Sequence, residues 1–510
     1  MKSKLHINTI AMLISFLTNL SITFFVSPVI VEYVGSEAYA FVKLATDFTN
    51  YASIISVAIN SVSARYVTIE YHKGNFDNAI KYFNSVFWCN VFLSLIFGIT
   101  GSIIIINLDS ILQIPSNLLN DVRLLFIFMF ANFLLSIIST IFTVATYITN
   151  TLYLSSIANA IACIIKVCFV TVAFKIFLPS IWILGMANCL YTILYGLANY
   201  KFKKKILPQF NLSIKLFSWS KTIRMIKSGI WSSISGIGNI LSDGLDLLIS
   251  NLFLGGTIMG QLSLSKTVSS MISSLLGSIA NLFAPELTLY YAKDDTKSIL
   301  EELTLAMKFT GFVGGIFFCV FLIMGESFFI LWVPSENAKL IYQYAMLCTV
   351  SVLVSGVVSP LNSVFVLTDH LKTNSIVWLS ISFLDIGIVY LLIQKTTFGG
   401  YAIAGVSSIV GAIVNLTYLP IICCRYLKIE IKDIYFVITR YFFATLIGIM
   451  LLKIVNFYWS ISTLTWVNFF IKTFCMVLIM SISNYFVLLT KNERKQLKII
   501  FAKKISSRGK

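Results

Sequence analysis

Long apolar runs, each closed by a short polar segment, follow one another along almost the whole chain. A helix crossing a bilayer needs about 20 mostly apolar residues. On that measure the pattern predicts fourteen spans, near residues 8–31, 38–64, 83–107, 122–147, 152–176, 180–200, 226–253, 257–285, 303–325, 339–367, 373–395, 401–424, 434–458 and 464–489. An even number leaves both termini on one side of the membrane. The fold expected is all-α and polytopic.

The segment 226–289 departs most from the pattern, as an apolar hairpin carrying charges where lipid should forbid them. Its first limb holds Asp243 and Asp246, and its second holds Lys266. A charge at membrane depth costs roughly 2.5–3.5 kcal/mol or more, so it faces a cavity or a partner. On a helix Asn239, Asp243 and Asp246 share one face, because neighbours three and four apart do. Asp243 lies about as far before the Gly255-Gly256 turn as Lys266 lies after it, which puts the two at one depth.

Composition agrees with the pattern. Of 510 residues, 58% are hydrophobic and 12% charged, whereas soluble domains carry about 25% charged residues. The net charge of +17 would suit nucleic acid. The bases instead cluster in short loops and the C-terminal tail, as membrane topology requires, so no nucleic-acid partner is expected. The nine cysteines fall in apolar stretches without a Cys-x-x-Cys pair, and read as buried thiols rather than a disulfide or metal framework. The first apolar run is too long for a signal peptide, so no cleavable signal is expected.

One alternating set of loops holds Lys2 and Lys4; Arg65, Lys73 and Lys81; Lys201, Lys203, Lys204, Lys205, Lys215, Lys221, Arg224 and Lys227; Arg425 and Lys428; and the tail. The other set holds Glu32, Glu37, Asp109, Asp121, Glu326 and Glu336, with few bases. The positive-inside rule then places both termini in the cytoplasm.

The longest linker splits twelve spans into two related sets of six. Leu254-Gly255 lies 220 positions after Val34-Gly35, and the Pro-Ser pair ending at Ser335 lies 219 after the one ending at Ser116. Thr368-Asp369-His370-Leu371 follows Thr149-Asn150-Thr151-Leu152 at that same distance, and Lys166 falls on Asp385. Six spans per half give both repeats one orientation, with substrate sites expected between them. The divisions expected are an N-lobe at 1–205, a basic cytoplasmic linker at 206–227, a C-lobe at 228–428, two further spans at 429–490 and a basic cytoplasmic tail at 491–510.

Twelve spans in two parallel lobes plus two more resemble the multidrug/oligosaccharidyl-lipid/polysaccharide exporter superfamily. Within it, residues 31–67 are similar to the first hairpin of polysaccharide-repeat flippases of the Wzx type, through Val34-Gly35, Tyr39 and Ala64-Arg65-Tyr66, with Ala40 where those proteins carry glycine. The resemblance implies flipping of an undecaprenyl-diphosphate-linked oligosaccharide repeat unit across the bacterial cytoplasmic membrane. The pathway implied is surface polysaccharide biosynthesis, of O-antigen or capsule, with a polysaccharide polymerase as partner. The lobes would rock around a central cavity, and the last two spans would help house the lipid tail. Some flippases of the superfamily hold a sodium ion between carboxylates of the seventh and eleventh spans, with help from the twelfth. Asp243, Asp385, Ser407 and Ser408 occupy those spans here. The alternative is a proton on one buried aspartate.

The remaining intramembrane charges carry two readings each. Lys43 and Asp47, one turn apart, either neutralise each other or present Lys43 to substrate phosphate. Lys166 has no acid nearby on its own helix. It either pairs with Asp47 or contacts the diphosphate. Asp243 and Asp385 either pair with Lys266 or form the cation-coupling site; Asp246, nearer the outer end, either joins that cation-coupling set or simply reaches water. Arg65 is an entrance-site candidate beside its ordinary role as a snorkelling helix-end base. The candidate diphosphate-binding set is thus Lys43, Lys166, Lys266 and Arg65. The scattered His6, His72 and His370 have no ligand spacing, and no metal or resident cofactor is expected.

No P-loop, phosphate cradle or nucleophile motif is present, so an enzyme is not expected. A cation-coupled multidrug exporter and a peptidoglycan-precursor flippase share the expected fold. The lysines favour an anionic substrate over a cationic drug. A polysaccharide polymerase or ligase would want a large extramembrane loop, which the sequence lacks.

Overall fold

The computed structural model describes residues 11, 14, 15, 18, 24, 27–176, 179–368, 370–459, 465–488 and 494, without the side chains of 239, 242, 243, 285 and 292. Most of the first expected span and of the basic tail lies outside the described residues. The regular structure among them is helical. In the first half run α1 (Ser36–His72), α2 (Phe76–Ile106), α3 (Leu119–Thr140), α4 (Leu152–Ile176) and α5 (Trp182–Ile206). Next come α6 (Trp219–Asn239), a π-helical turn (Ile240–Gly244), α7 (Asp246–Leu254) and α8 (Gly256–Asn281). Then follow α9 (Thr296–Trp332), α10 (Ala338–Val358), α11 (Leu371–Lys395), α12 (Gly400–Leu416), α13 (Ile431–Tyr458) and α14 (Trp466–Val487).

Ten helices among the described residues are long and apolar enough to cross a membrane: α1 to α4, and α9 to α14. The protein is therefore a multi-pass, all-α membrane protein. The sixth, seventh and eighth expected spans fall on α5, on α6 with the π turn and α7, and on α8. These three carry lysine, glycine or serine in place of the uniformly apolar surface that lipid favours.

The spacing seen in the sequence recurs in the helix boundaries. α1 and α8 start at 36 and 256, and α2 and α9 at 76 and 296. α3 and α10 start at 119 and 338, and α4 and α11 at 152 and 371. Local chemistry repeats with them. Gly35 and Gly255 both hold positive φ, 83° and 88°, before α1 and α8, where a side chain would be strained. Asn75 caps α2 by accepting from the Asn78 amide, and Asp295 caps α9 by accepting from that of Ser298. The Ser298 hydroxyl and amide hold the Asp295 carboxyl below the usual carboxylate range.

Two compact units emerge, Met1–Ser263 with Ser375–Gly387, and Leu264–Asn374 with Ile388–Lys510. In the second unit, buried Tyr441 of α13 donates to the Leu353 carbonyl of α10 at 2.8 Å, and Gly311, Gly315 and Gly356 leave room for its ring.

In the first unit, one core gathers Val67, Phe83, Ile141 and Met225 with Leu207 and Phe210 of the linker. Phe210 is fully buried, edge-on to Phe83 at 5.5 Å. Asn84 of α2 donates to the Asn211 carbonyl and accepts from the Ser213 amide, while Ser85 accepts from the Ser218 amide. The linker is thus stapled along α2. Phe210→Ala is expected to remove about 3–5 kcal/mol from that docking, read as tryptic cleavage at Lys215 in the variant under conditions that leave the parent uncut.

All nine cysteines are free thiols. Cys168 corrects the expectation of uniform burial: it is exposed on α4, a membrane-crossing helix whose outer face is also apolar.

Candidate functional site

Of the candidate residues of the first unit, Asp243 lies in the π turn, Asp246 directly follows it, and Asp47 approaches it through Tyr51. α1 brings Lys43, Asp47 and Tyr51 to one face, each a turn from the next. Lys43 Nζ donates to the Ser263 carbonyl at 3.0 Å and lies 5.7 Å from the Tyr39 ring centroid. Tyr39 is itself fixed by a 2.8 Å hydrogen bond with Ser27. Two turns on from Lys43, the Tyr51 hydroxyl donates to the Gly244 carbonyl, and both Asp47 and Asp246 lie near enough to act on that hydroxyl electrostatically.

The π turn explains why Gly244 is available. Within it the ladder widens, and the Leu245 amide reaches back to the Ile240 carbonyl at 3.0 Å. π turns are single-residue insertions that loosen the backbone ladder. Gly244 also lets α1 approach, since a Cβ there would meet the Tyr51 ring at 3.4 Å. The turn corrects the expectation that Asn239, Asp243 and Asp246 share one face. That counting assumes uninterrupted α geometry, and the extra residue rotates Asp246 away from the α6 register. Asp243 belongs to the turn, and its side chain lies outside the described residues. Asp246 starts α7 and is 2% exposed, not the water-reaching carboxylate expected at that depth. Neighbouring helices cover it at its level.

The segment Ser375–Gly387 of α11 packs against α6. Ser382 donates to the Gly238 carbonyl at 2.9 Å, and a Cβ on Gly238 would meet the Leu379 amide nitrogen at 3.5 Å. Asp385, 3% exposed, follows Ser382 by three residues and so lies on the same side of α11.

Lys166 sits mid-helix in α4, half-buried. It makes no ion pair among the described residues, so the pairing with Asp47 that the sequence left open does not form. A helix face shared with Asn159 and Cys163 leads to it. Asn159 donates to Ser15 at 2.6 Å and accepts from Tyr191 at 2.6 Å. The polar track on α4 thus ends at a lysine. Arg65 is exposed on the last third of α1, next to Tyr66, which stacks on Tyr82 at 5.3 Å. Lys266 belongs to the second unit, half-buried on α8 between buried Ser265 and Thr267. Ser408 is buried on α12 and donates to the Cys348 carbonyl at 3.3 Å. Among the described residues no group of three or more His, Cys, Asp and Glu is placed to hold a metal ion.

Sequence reasoning missed Tyr51, the π turn and a reciprocal amide pair. Asn60 and Asn90 exchange hydrogen bonds at 3.0 and 3.2 Å, and Asn90 also donates to the Ile137 carbonyl. The signal for Tyr51 was its spacing of four from Asp47. The amide pair was visible as asparagine inside two apolar spans, where an unsatisfied amide is costly.

The geometry is that of a membrane transporter fold. Over 94% of this chain and 98% of its own, a lipid II flippase, MurJ, in an inward closed conformation superposes with a TM-score of 0.69 at 13% identity. An inward-facing multidrug resistance MATE family transporter of the MOP superfamily matches with a TM-score of 0.62 at 13% identity, over 81% of this chain and 96% of its own. A Pyrococcus furiosus transporter of that superfamily scores 0.59 at 14% identity, covering 84% and 97%. The chain thus has the fold of MOP-superfamily transporters, as the sequence pattern implied. An uncharacterized membrane protein from Bacillus subtilis strain 168, EpsK, is 29% identical over 427 residues, 83% of each chain. No family model matches the chain.

Proposed function

We propose that this protein flips an undecaprenyl-diphosphate-linked oligosaccharide across the bacterial cytoplasmic membrane for surface polysaccharide assembly, as a flippase of the Wzx type with both termini cytoplasmic. The observation that carries the reading is Lys166, a half-buried lysine in the middle of a membrane-crossing helix, without an ion pair among the described residues. A cation left in hydrocarbon without a counter-charge is costly, and an anionic substrate supplies one. Lys43 is the second base on the path, and Arg65 and Lys266 complete the expected set. The fold match supports a lipid-linked substrate, since the likeness to the lipid II flippase extends over 94% of the chain and the likeness to the multidrug transporter over 81%.

Coupling to sodium or protons would use Asp243, Asp385 and Asp246. Their supporting observation is the broken helix itself, because irregular backbone at membrane depth frees carbonyls for a cation. A polysaccharide polymerase is the proposed downstream partner.

Proteoliposomes holding a fluorescent undecaprenyl-diphosphate oligosaccharide in one leaflet test both parts. Flipping of that lipid, with slower flipping of lipid II and no uptake of a cationic dye, is the expected result. An imposed sodium or proton gradient should accelerate it, and Asp246→Asn and Asp385→Asn should remove the acceleration. Dye transport without lipid flipping would mark a multidrug exporter instead.

A further inference from the structure

The strap between α5 and α6 has two chemically different sides. Its inner side is satisfied by protein: Leu207 and Phe210 are fully buried, and the backbone at 211, 213 and 218 is bonded to Asn84 and Ser85. Lys221 donates to Asn78 at 2.8 Å and lies 4.4 Å from the Tyr82 ring centroid, and Arg224 lies 5.8 Å from that of Tyr66. These two bases hold the strap to α1 and α2.

The outer side has no such explanation. Ile214, which opens a short 3-10 turn carrying exposed Lys215, is 65% exposed, and Trp219, the first residue of α6, is 62% exposed. Lys201, Lys204 and Lys205 are exposed on the last turns of α5. Between 201 and 227 the chain carries eight bases and neither Asp nor Glu. A large indole and a branched aliphatic turned to water forfeit the gain of burial. Indole and lysine side by side match the membrane interface, where the ring sits at headgroup level and the base meets phosphate. The strap is also stapled to the first turns of α2, a helix long and apolar enough to cross a membrane, so it stays beside the end of that helix.

We propose that this strap is a lipid-binding foot. Trp219 and Ile214 enter the headgroup boundary of the leaflet on the basic side of the protein, and Lys204, Lys205 and Lys215 bind the phosphates of anionic lipids there. The partner is the bilayer itself, chosen by charge, and the surface is separate from the transport path through Lys166.

The test uses the full chain in nanodiscs containing either phosphatidylglycerol or phosphatidylcholine brominated near the glycerol end of the acyl chains, at equal mole fraction. The Trp219 signal is the fluorescence difference between the parent and Trp219→Phe. Quenching of that signal by both lipids, and more strongly by brominated phosphatidylglycerol, is expected. A triple variant, Lys204→Gln with Lys205→Gln and Lys215→Gln, should keep the quenching and lose the preference, at about fivefold in local lipid enrichment per base. Trp219 left unquenched by either lipid would overturn the proposal, since the strap would then face water. Equal quenching by the two lipids, or a preference that survives in the triple variant, would overturn the role given to the lysines. Lys204, Lys205 and Lys215 are exposed and make no hydrogen bond or ion pair among the described residues, so the variant retains the docked strap; resistance to trypsin at the remaining bases checks this in the same sample.

Discussion

Lys166→Ala is expected to slow flipping of the lipid-linked substrate by about one to two orders of magnitude while the protein still folds and inserts. Removing this side chain breaks no ion pair among the described residues, and alanine suits the middle of α4 better than a lysine does. Folding therefore loses nothing that the structure displays, and the desolvation penalty of a half-buried ammonium disappears. Transport loses one charge-assisted bond to phosphate, typically about 1.5–3 kcal/mol, or about 10- to 150-fold in a rate or affinity. Lys166→Arg keeps the charge on a longer, planar head and should retain part of the activity. The measurement is initial flipping rate in proteoliposomes, normalised to protein that elutes as a single species. A normal rate in Lys166→Ala would refute the diphosphate assignment. Lys43→Ala gives less clean information, because Lys43 also bonds the Ser263 carbonyl.

A second large effect is steric. Gly229→Ala should lower accumulation and melting temperature sharply, whereas Gly236→Ala, two turns along the same helix, should not. A Cβ on Gly229 would strike the Ala58 carbonyl oxygen of α1. A backbone atom inside a helix cannot swing aside as a flexible side chain can, so the helices must part. Overpacking of this kind costs typically about 1–3 kcal/mol. At Gly236 the nearest atom to the added carbon is a side-chain carbon of Ile54 at 4.0 Å. There alanine should gain up to about 1 kcal/mol of helix propensity. Thermal melting of the two variants in one detergent separates packing from propensity. Equal melting temperatures would mean that α1 and α6 are not in close contact in solution.

Some of this was legible in the sequence because it rests on local chemistry. Gly35 and Gly255 announce the same turn twice, since positive φ leaves little choice of residue. The caps Asn75 and Asp295 keep one spacing for the same reason. Apolar run length was enough to place α1 to α4 and α9 to α14. Other features depend on which helices meet, and no spacing encodes that. The burial of Asp246 needs neighbours from elsewhere in the chain. The π turn needs a reason to insert a residue, and a count made in steps of three and four passes over it. Tyr51 sat in plain view as an aromatic in an apolar span, and only its hydroxyl bond to Gly244 sets it apart from other tyrosines.

The segment formed by α6, the π turn and α7 is pinned at both ends. Ser218 is bonded to Ser85 just before α6 begins. At the far end of α7, Asn251 exchanges hydrogen bonds with the Gln113 backbone at 3.0 Å in both directions. Between these fixed points the π turn holds one residue more than an α-helix of that length would carry. That residue is stored slack. Were the turn to relax to α geometry, everything beyond it would advance by about 1.5 Å and rotate by about 100°. Neither pinned end tolerates such a screw displacement without releasing its bonds. A small local change in hydrogen bonding within residues 240–245 would therefore be converted into rotation and thrust along the helix, with the Asn251–Gln113 bonds as the catch that must give way.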